Sequence, residues 1–186
     1  MPDESEVIAL WIAFKKGDRA AYARLINIFY KVLFNYGTKL CQDILIVEDC
    51  IQDLFLELWQ RRDYLSDTEY VKFYLLKALR RKIYFEKNIQ QKRQQIAIDT
   101  DYEVEFIGEF SIEANIIEIE TTDQQLRKLN HILTKLTKRE REVIYLKFYQ
   151  EMDYEQIANL MSINYQSARN LIHTAIKAMK NAWQKD

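Results

Sequence analysis

The sequence predicts an all-α chain: an N-terminal helical bundle and a C-terminal four-helix domain, joined by an acidic linker. Three observations lead there. Only three glycines (Gly17, Gly37, Gly108) and one proline (Pro2) occur in 186 residues, so long stretches lack helix breakers. Apolar residues recur at helical spacing behind capping residues over most of the chain. Charge, finally, divides the sequence. Residues 1–93 carry 16 Lys/Arg against 13 Asp/Glu, residues 94–126 carry 9 acidic residues and no Lys or Arg, and residues 127–186 carry 11 basic against 6 acidic. An acidic stretch between two basic ones reads as two modules, 1–93 and 123–186, with a linker over 94–122.

In the N-terminal module Asp18 caps a helix reaching about Lys39, with Leu25, Ile28, Phe29, Val32 and Tyr36 on its apolar stripe. A second helix runs from about Val47 to Arg62 and buries Ile51, Phe55 and Leu58. After the polar connection 61–67, Ser66 and Glu69 form a capping box that opens a long helix toward Arg93, its stripe made of Leu75, Leu76, Leu79 and Ile83. The linker mixes isoleucine, phenylalanine and acids around Gly108, with one nascent helix expected near Ser111–Glu120.

Four helices follow. The first is Asp123–Lys135; Thr137 and Glu140 box the second, ending near Phe148; Asp153 and Gln156 cap Tyr154–Met161; and Asn164 caps a last helix to about Trp183. The final pair has helix-turn-helix proportions. Ser162 stands at the tight turn, a tolerable residue there if its φ is negative. On the last helix Ala168, Leu171, Ile172, Ala175 and Met179 face inward. Gln166, Arg169, Asn170, His173 and Lys177 face outward, side chains suited to major-groove base edges.

Several function classes drop out. Clustered glycines for a phosphate loop are missing. No apolar run is long enough to span a membrane, and the acidic N-terminus (Asp3, Glu4, Glu6) is wrong for a signal peptide. Cys41 and Cys50 are too few for a disulfide framework, which suits a reducing cytoplasm, and they fit as small core residues. His131 and His173 have no ligand partner at metal spacing, no nucleophile–base set is visible, and no cofactor or enzyme activity is expected.

Two segments carry a family resemblance. Val47-Glu-Asp-Cys-Ile-Gln-Asp-Leu-Phe-Leu-Glu-Leu-Trp59 resembles the region 2 signature of bacterial RNA polymerase sigma factors of the extracytoplasmic-function class. Leu136-Thr-Lys-Arg-Glu-Arg-Glu-Val-Ile-Tyr-Leu-Lys-Phe-Tyr149 and the following helix-turn-helix resemble region 4 of that class, and 164–173 is similar to a variant among Bacteroidetes members. The resemblance implies a cytoplasmic protein that binds core RNA polymerase, directs it to promoter DNA and is held by an anti-sigma factor. Region 2 would dock on the β′ coiled coil through Asp49, Gln52, Asp53 and Leu56, with Trp59 nearby as a core residue. It would capture the −10 element with Arg61, Arg62, Tyr64, Lys77, Arg80, Arg81, Tyr84 and Lys87, with Asn88 on the same side of the long helix and one or two of Tyr64, Tyr70, Tyr74 and Tyr84 stacking an unpaired base. Region 4 would bind the β flap and read the −35 element with Gln166, Ser167, Arg169, Asn170, His173 and Lys177. The linker would pass through the polymerase, or fold back on the DNA-binding faces of the free chain. Leu171, Thr174 and Ile176 stand where many relatives are basic, which implies a modest phosphate grip. A stand-alone helix-turn-helix regulator and a helical adaptor without DNA binding are the rival readings.

Overall fold

The computed structural model describes residues 3–93, Phe106 and residues 123–185, and all its regular elements are helical. The chain divides into two compact units, 1–104 and 105–186. The expected nascent helix near Ser111–Glu120 lies outside the described residues.

Four helices build the first unit: α1 (Glu4–Lys15), α2 (Arg19–Leu40), α3 (Ile44–Gln60) and α4 (Val71–Arg93). Periodicity gave no sign of α1, because its apolar residues run unbroken from Val7 to Phe14 and mark no face. It is nonetheless integral. Trp11 and Phe14 are buried, the Trp11 indole Nε1 donates to the Ser66 carbonyl at 3.3 Å, and Glu6 pairs with Arg24 of α2. Gly17, at φ +91°, makes the turn into α2. There Asp18 accepts from the Ala20 and Ala21 amides at 2.8 and 3.1 Å, the expected cap. Helix α3 starts earlier than expected, since Asp43 caps it by accepting from the Leu45 and Ile46 amides. Gly37 brings α2 onto α3: a Cβ there would meet Val47 Cγ1 at 2.6 Å. The stripe Leu75, Leu76, Leu79 and Ile83 of α4 is fully buried against Leu33, Tyr36, Leu40 and Ile51 in the same core.

One expectation fails at the start of α4. The Ser66–Glu69 capping box does not form; the helix begins at Val71, and Thr68 Oγ1 instead accepts from the Tyr70 amide at 3.1 Å. Trp11 holds the Ser66 carbonyl and Lys15 pairs with Asp67, so α1 dictates the path of this connection.

The second unit holds α5 (Asp123–Thr134), α6 (Lys138–Ile144), α7 (Tyr154–Leu160) and α8 (Tyr165–Lys185). Both expected capping boxes are present, at Thr137–Glu140 and Asp153–Gln156, and Asn164 Oδ1 accepts from the Ser167 amide at 2.7 Å. Helix α6 continues into a π turn, Tyr145–Tyr149, where the Gln150 amide reaches the Tyr145 carbonyl at 3.0 Å. Ile132, Leu133, Val143, Leu146, Ile157, Leu160, Ile172 and Ala175 form the core.

Candidate nucleic-acid interface

Helices α7 and α8 make the helix-turn-helix. Ala168 of α8 is fully buried, and its missing bulk lets α7 and α8 pack closely. In the turn the Ile163 amide donates to the Ala158 carbonyl at 2.9 Å. Ser162 adopts φ +56°, the left-handed region that favours glycine, so the condition under which serine is easily tolerated at this turn is not met. Core packing of Met161 and the capped start of α8 hold it there.

Gln166, Ser167, Arg169, Asn170, His173 and Lys177 are all exposed on α8. Gln166 Nε2 donates to Asn170 Oδ1 at 3.0 Å, so these two amides present one joint edge. Arg169, His173 and Lys177 have no hydrogen-bond or ion-pair partner among the described residues. Tyr165, which the sequence reading did not single out, is exposed at the first position of α8. It meets Tyr154 edge-on at 6.1 Å, and Lys147 sits over the Tyr154 ring at 4.9 Å.

The first unit carries two further surfaces. On α3, Leu45 (70% exposed), Asp49, Gln52 and Leu56 (54% exposed) fall within one narrow stripe at 100° per residue, with Asp53 beside it, all exposed. Trp59 is half-buried, tilted against Tyr22 and Phe14 with Arg62 over its ring at 4.9 Å. On the other surface the cations differ among themselves. Arg61, Lys77 and Arg81 are exposed and Tyr64 is 86% exposed. Arg62 instead donates to the Trp59 carbonyl at 2.8 Å, Arg80 to the Tyr36 hydroxyl at 3.2 Å, and Lys87 to the Leu40 carbonyl at 3.1 Å. These three, with Tyr84 and Asn88, are half-buried. Phe85, 62% exposed, shares a stripe with Tyr74, Lys77 and Arg81, and its i, i+4 spacing from Arg81 was the available signal.

Chemistry of another kind has little foothold. Cys41 and Cys50 are buried thiols, and burial pushes Cys50 up to about 12, with Glu86 adding to the rise. No group of three or more His, Cys, Asp or Glu among the described residues could hold a metal ion, and no described helix is long and apolar enough to cross a membrane.

Residues 126–179 match the family model "Sigma-70, region 4". Among solved structures, the chain is similar to the sigma factor RpoE in complex with the anti-sigma factor NepR from Bartonella quintana. They share 19% identity with a TM-score of 0.58, over 89% of this chain and 98% of that one. It is also similar to CnrH in complex with the cytosolic domain of CnrY, at 16% identity and a TM-score of 0.59, over 97% and 99% of the two chains. No curated protein matches. Residues 126–179 of the second unit thus match the sigma-70 region 4 model, and the likeness to the two solved structures is one of fold.

Proposed function

We propose that this chain, with the region 4 and the fold of a sigma factor, acts in transcription initiation as a member of the extracytoplasmic-function class. It binds core RNA polymerase and directs it to promoters through −10 and −35 elements, without enzymatic activity of its own. The observation that carries this reading is the match of residues 126–179 to region 4 on a helix pair whose outward stripe is exposed and polar. Exposed Arg169 suits a guanine edge, and the joined amides of Gln166 and Asn170 suit adenine. Lys177, further along the helix, lies where it would meet phosphate.

Polymerase docking falls to the α3 stripe. Leu45 and Leu56 leave apolar surface in water on either side of Asp49 and Gln52, an arrangement that fits a partner helix carrying arginine or lysine between apolar residues. Exposed Lys77, Arg81, Tyr64 and Phe85 supply cations and ring faces for an opened −10 strand. A cytoplasmic setting follows from polymerase as partner. An anti-sigma protein is proposed because the RpoE structure was solved with one.

Run-off transcription on a genomic library with purified core polymerase tests the reading. Promoter-dependent transcripts are expected with the chain and not without it. Asp49→Lys and Gln52→Ala should weaken core binding by about 2–5 kcal/mol together while helix content stays unchanged. Tight operator binding by a dimer without polymerase would favour the stand-alone regulator. Polymerase binding with no promoter-dependent transcript would favour the adaptor.

A further inference from the structure

Tyr165 puts an aromatic ring in water at the front of the reading helix, 48% exposed at the first position of α8. The other exposed positions in the first two turns are Gln166, Ser167, Arg169 and Asn170, all polar. Around the helix Tyr165 lies about 40° from Arg169 and about 80° from His173, so it borders the polar stripe. Along the axis it stands about 6 Å before Arg169.

The ring is also braced. Tyr165 meets Tyr154, the first residue of α7, edge-on with centroids 6.1 Å apart at 67°. Tyr154 is half-buried, and the Lys147 ammonium sits over its ring at 4.9 Å. Lys147 Nζ is held in turn, donating to the Met152 carbonyl at 3.2 Å. One exposed ring is thus fixed by side chains from the π turn and from α7. A ring held before binding loses little freedom when it is covered.

What it can cover follows from groove chemistry. Base pairs present nitrogen and oxygen donors and acceptors in the major groove, and thymine alone adds an apolar C5-methyl group. Gln166, Arg169 and Asn170 answer the polar edges. An apolar ring beside them answers the methyl.

We propose that Tyr165 is a specificity-determining residue, which packs its ring on a thymine methyl of the −35 element at most two base pairs from the one Arg169 reads. This rests on the sigma-factor reading above. Two base pairs span about 7 Å of duplex, close to the 6 Å between the two residues along α8. Tyr154 is a positioning residue, which acts on the thymine only through the ring it holds.

The test measures binding of the full chain with core polymerase to a promoter recovered from the run-off library. Each −35 thymine is replaced in turn by uracil, which lacks only the methyl. Wild type should lose about three- to fivefold in affinity at one thymine, the worth of one buried methyl. Tyr165→Ala should bind the thymine duplex more weakly by about the same factor and show no preference for thymine over uracil there. Tyr165→Phe should keep the whole preference, because the hydroxyl takes no part. Tyr154→Ala should cut it to less than about twofold by freeing the ring. The thymine-to-uracil ratio is taken within one variant, so a smaller folded fraction cancels from it.

Absence of any methyl effect on a promoter that is still bound overturns the proposal and leaves the sigma-factor reading standing. A methyl effect that survives in Tyr165→Ala overturns it too, as does one centred more than two base pairs from the position relaxed by Arg169→Ala. Equal weakening of thymine and uracil duplexes by Tyr165→Phe would make the residue a phosphate contact instead. If the wild-type chain with core polymerase bound no promoter at all, the sigma-factor reading would fail and this role with it.

Discussion

The two units spend their cations differently. In the N-terminal unit, Arg62, Arg80 and Lys87 turn back to the Trp59 carbonyl, the Tyr36 hydroxyl and the Leu40 carbonyl, each at 2.8–3.2 Å. In the C-terminal unit, Arg169, His173 and Lys177 point outward from α8 with no partner among the described residues. A buried four-helix core leaves its helices few fully exposed faces, so the long cations of α4 lie along the bundle, Lys87 reaching the Leu40 carbonyl at the end of α2 and Arg80 the Tyr36 hydroxyl. The recognition helix packs on one side only and keeps its polar stripe whole. Arg62 and Arg80 are thus structural residues of the first unit, whereas Arg169 on α8 is exposed and available for binding.

That contrast can be broken at several points. The largest effect should come from Trp11→Ala, which empties the core where Trp11 packs on Phe14 of its own helix and on Tyr74 of α4. A loss of about 3–5 kcal/mol is expected in the N-terminal unit alone. Thermal unfolding followed separately at both units checks this, and a matching loss in the C-terminal unit would contradict their independence.

Alkaline pH should also separate the units. An ordinary thiol titrates near 8.5. Burial pushes Cys50 up to about 12, so the fold favours its neutral form. The stability this confers is fully present below about pH 8.5 and is lost as pH rises toward 12. Both cysteines lie in the first unit. The N-terminal unit should therefore weaken between pH 8.5 and 10 while the C-terminal unit holds, and Cys50→Ala should flatten the slope. A native Cys50 that reacts readily with a thiol reagent at pH 8 would count against it.

Arginine truncation puts the comparison directly. Arg80→Ala should cost about 1–2 kcal/mol of stability through its lost bond to Tyr36. Arg169→Ala should leave the melting temperature unchanged and cost about 1–3 kcal/mol at one base pair of the −35 element. Lys177→Ala should weaken binding evenly and lower its salt dependence. Melting curves and binding to duplexes with single base-pair changes distinguish these outcomes, and a stability loss in Arg169→Ala would erase the contrast.

The smallest effect belongs to the turn between α7 and α8. At φ +56°, Ser162 carries left-handed strain that glycine avoids. Ser162→Gly should stabilise the C-terminal unit by about 0.5–1 kcal/mol after the entropic penalty of glycine. Denaturant unfolding measures it; destabilisation would mean that the serine side chain matters more than its backbone.

Legibility followed the same divide. Caps at Asp18, Thr137, Asp153 and Asn164 were readable because each acts within four residues of its own helix. Amphipathic stripes were readable for α4 and α8, where one face is clearly apolar. Helix α1 escaped because it is apolar all round, and the Ser66–Glu69 box failed because Trp11, distant in sequence, claims the Ser66 carbonyl. The outward stripe of α8 was legible in full. Inward turns of Arg62, Arg80 and Lys87 were not, since periodicity gives a helical angle and says nothing of where a long side chain ends.

The π turn after α6 also acts as an indexing step. Relative to an α-helix it inserts one residue, and each residue of helix advances the chain by about 100° and 1.5 Å. Everything after Tyr149, including the whole reading pair, is therefore aimed by that single extra residue. Deleting one residue between Tyr145 and Tyr149 would rewind the segment into ordinary helix and swing the departure of the chain by roughly a quarter turn. The heading of the reading helix is in this sense dialled by residue count rather than by any side chain.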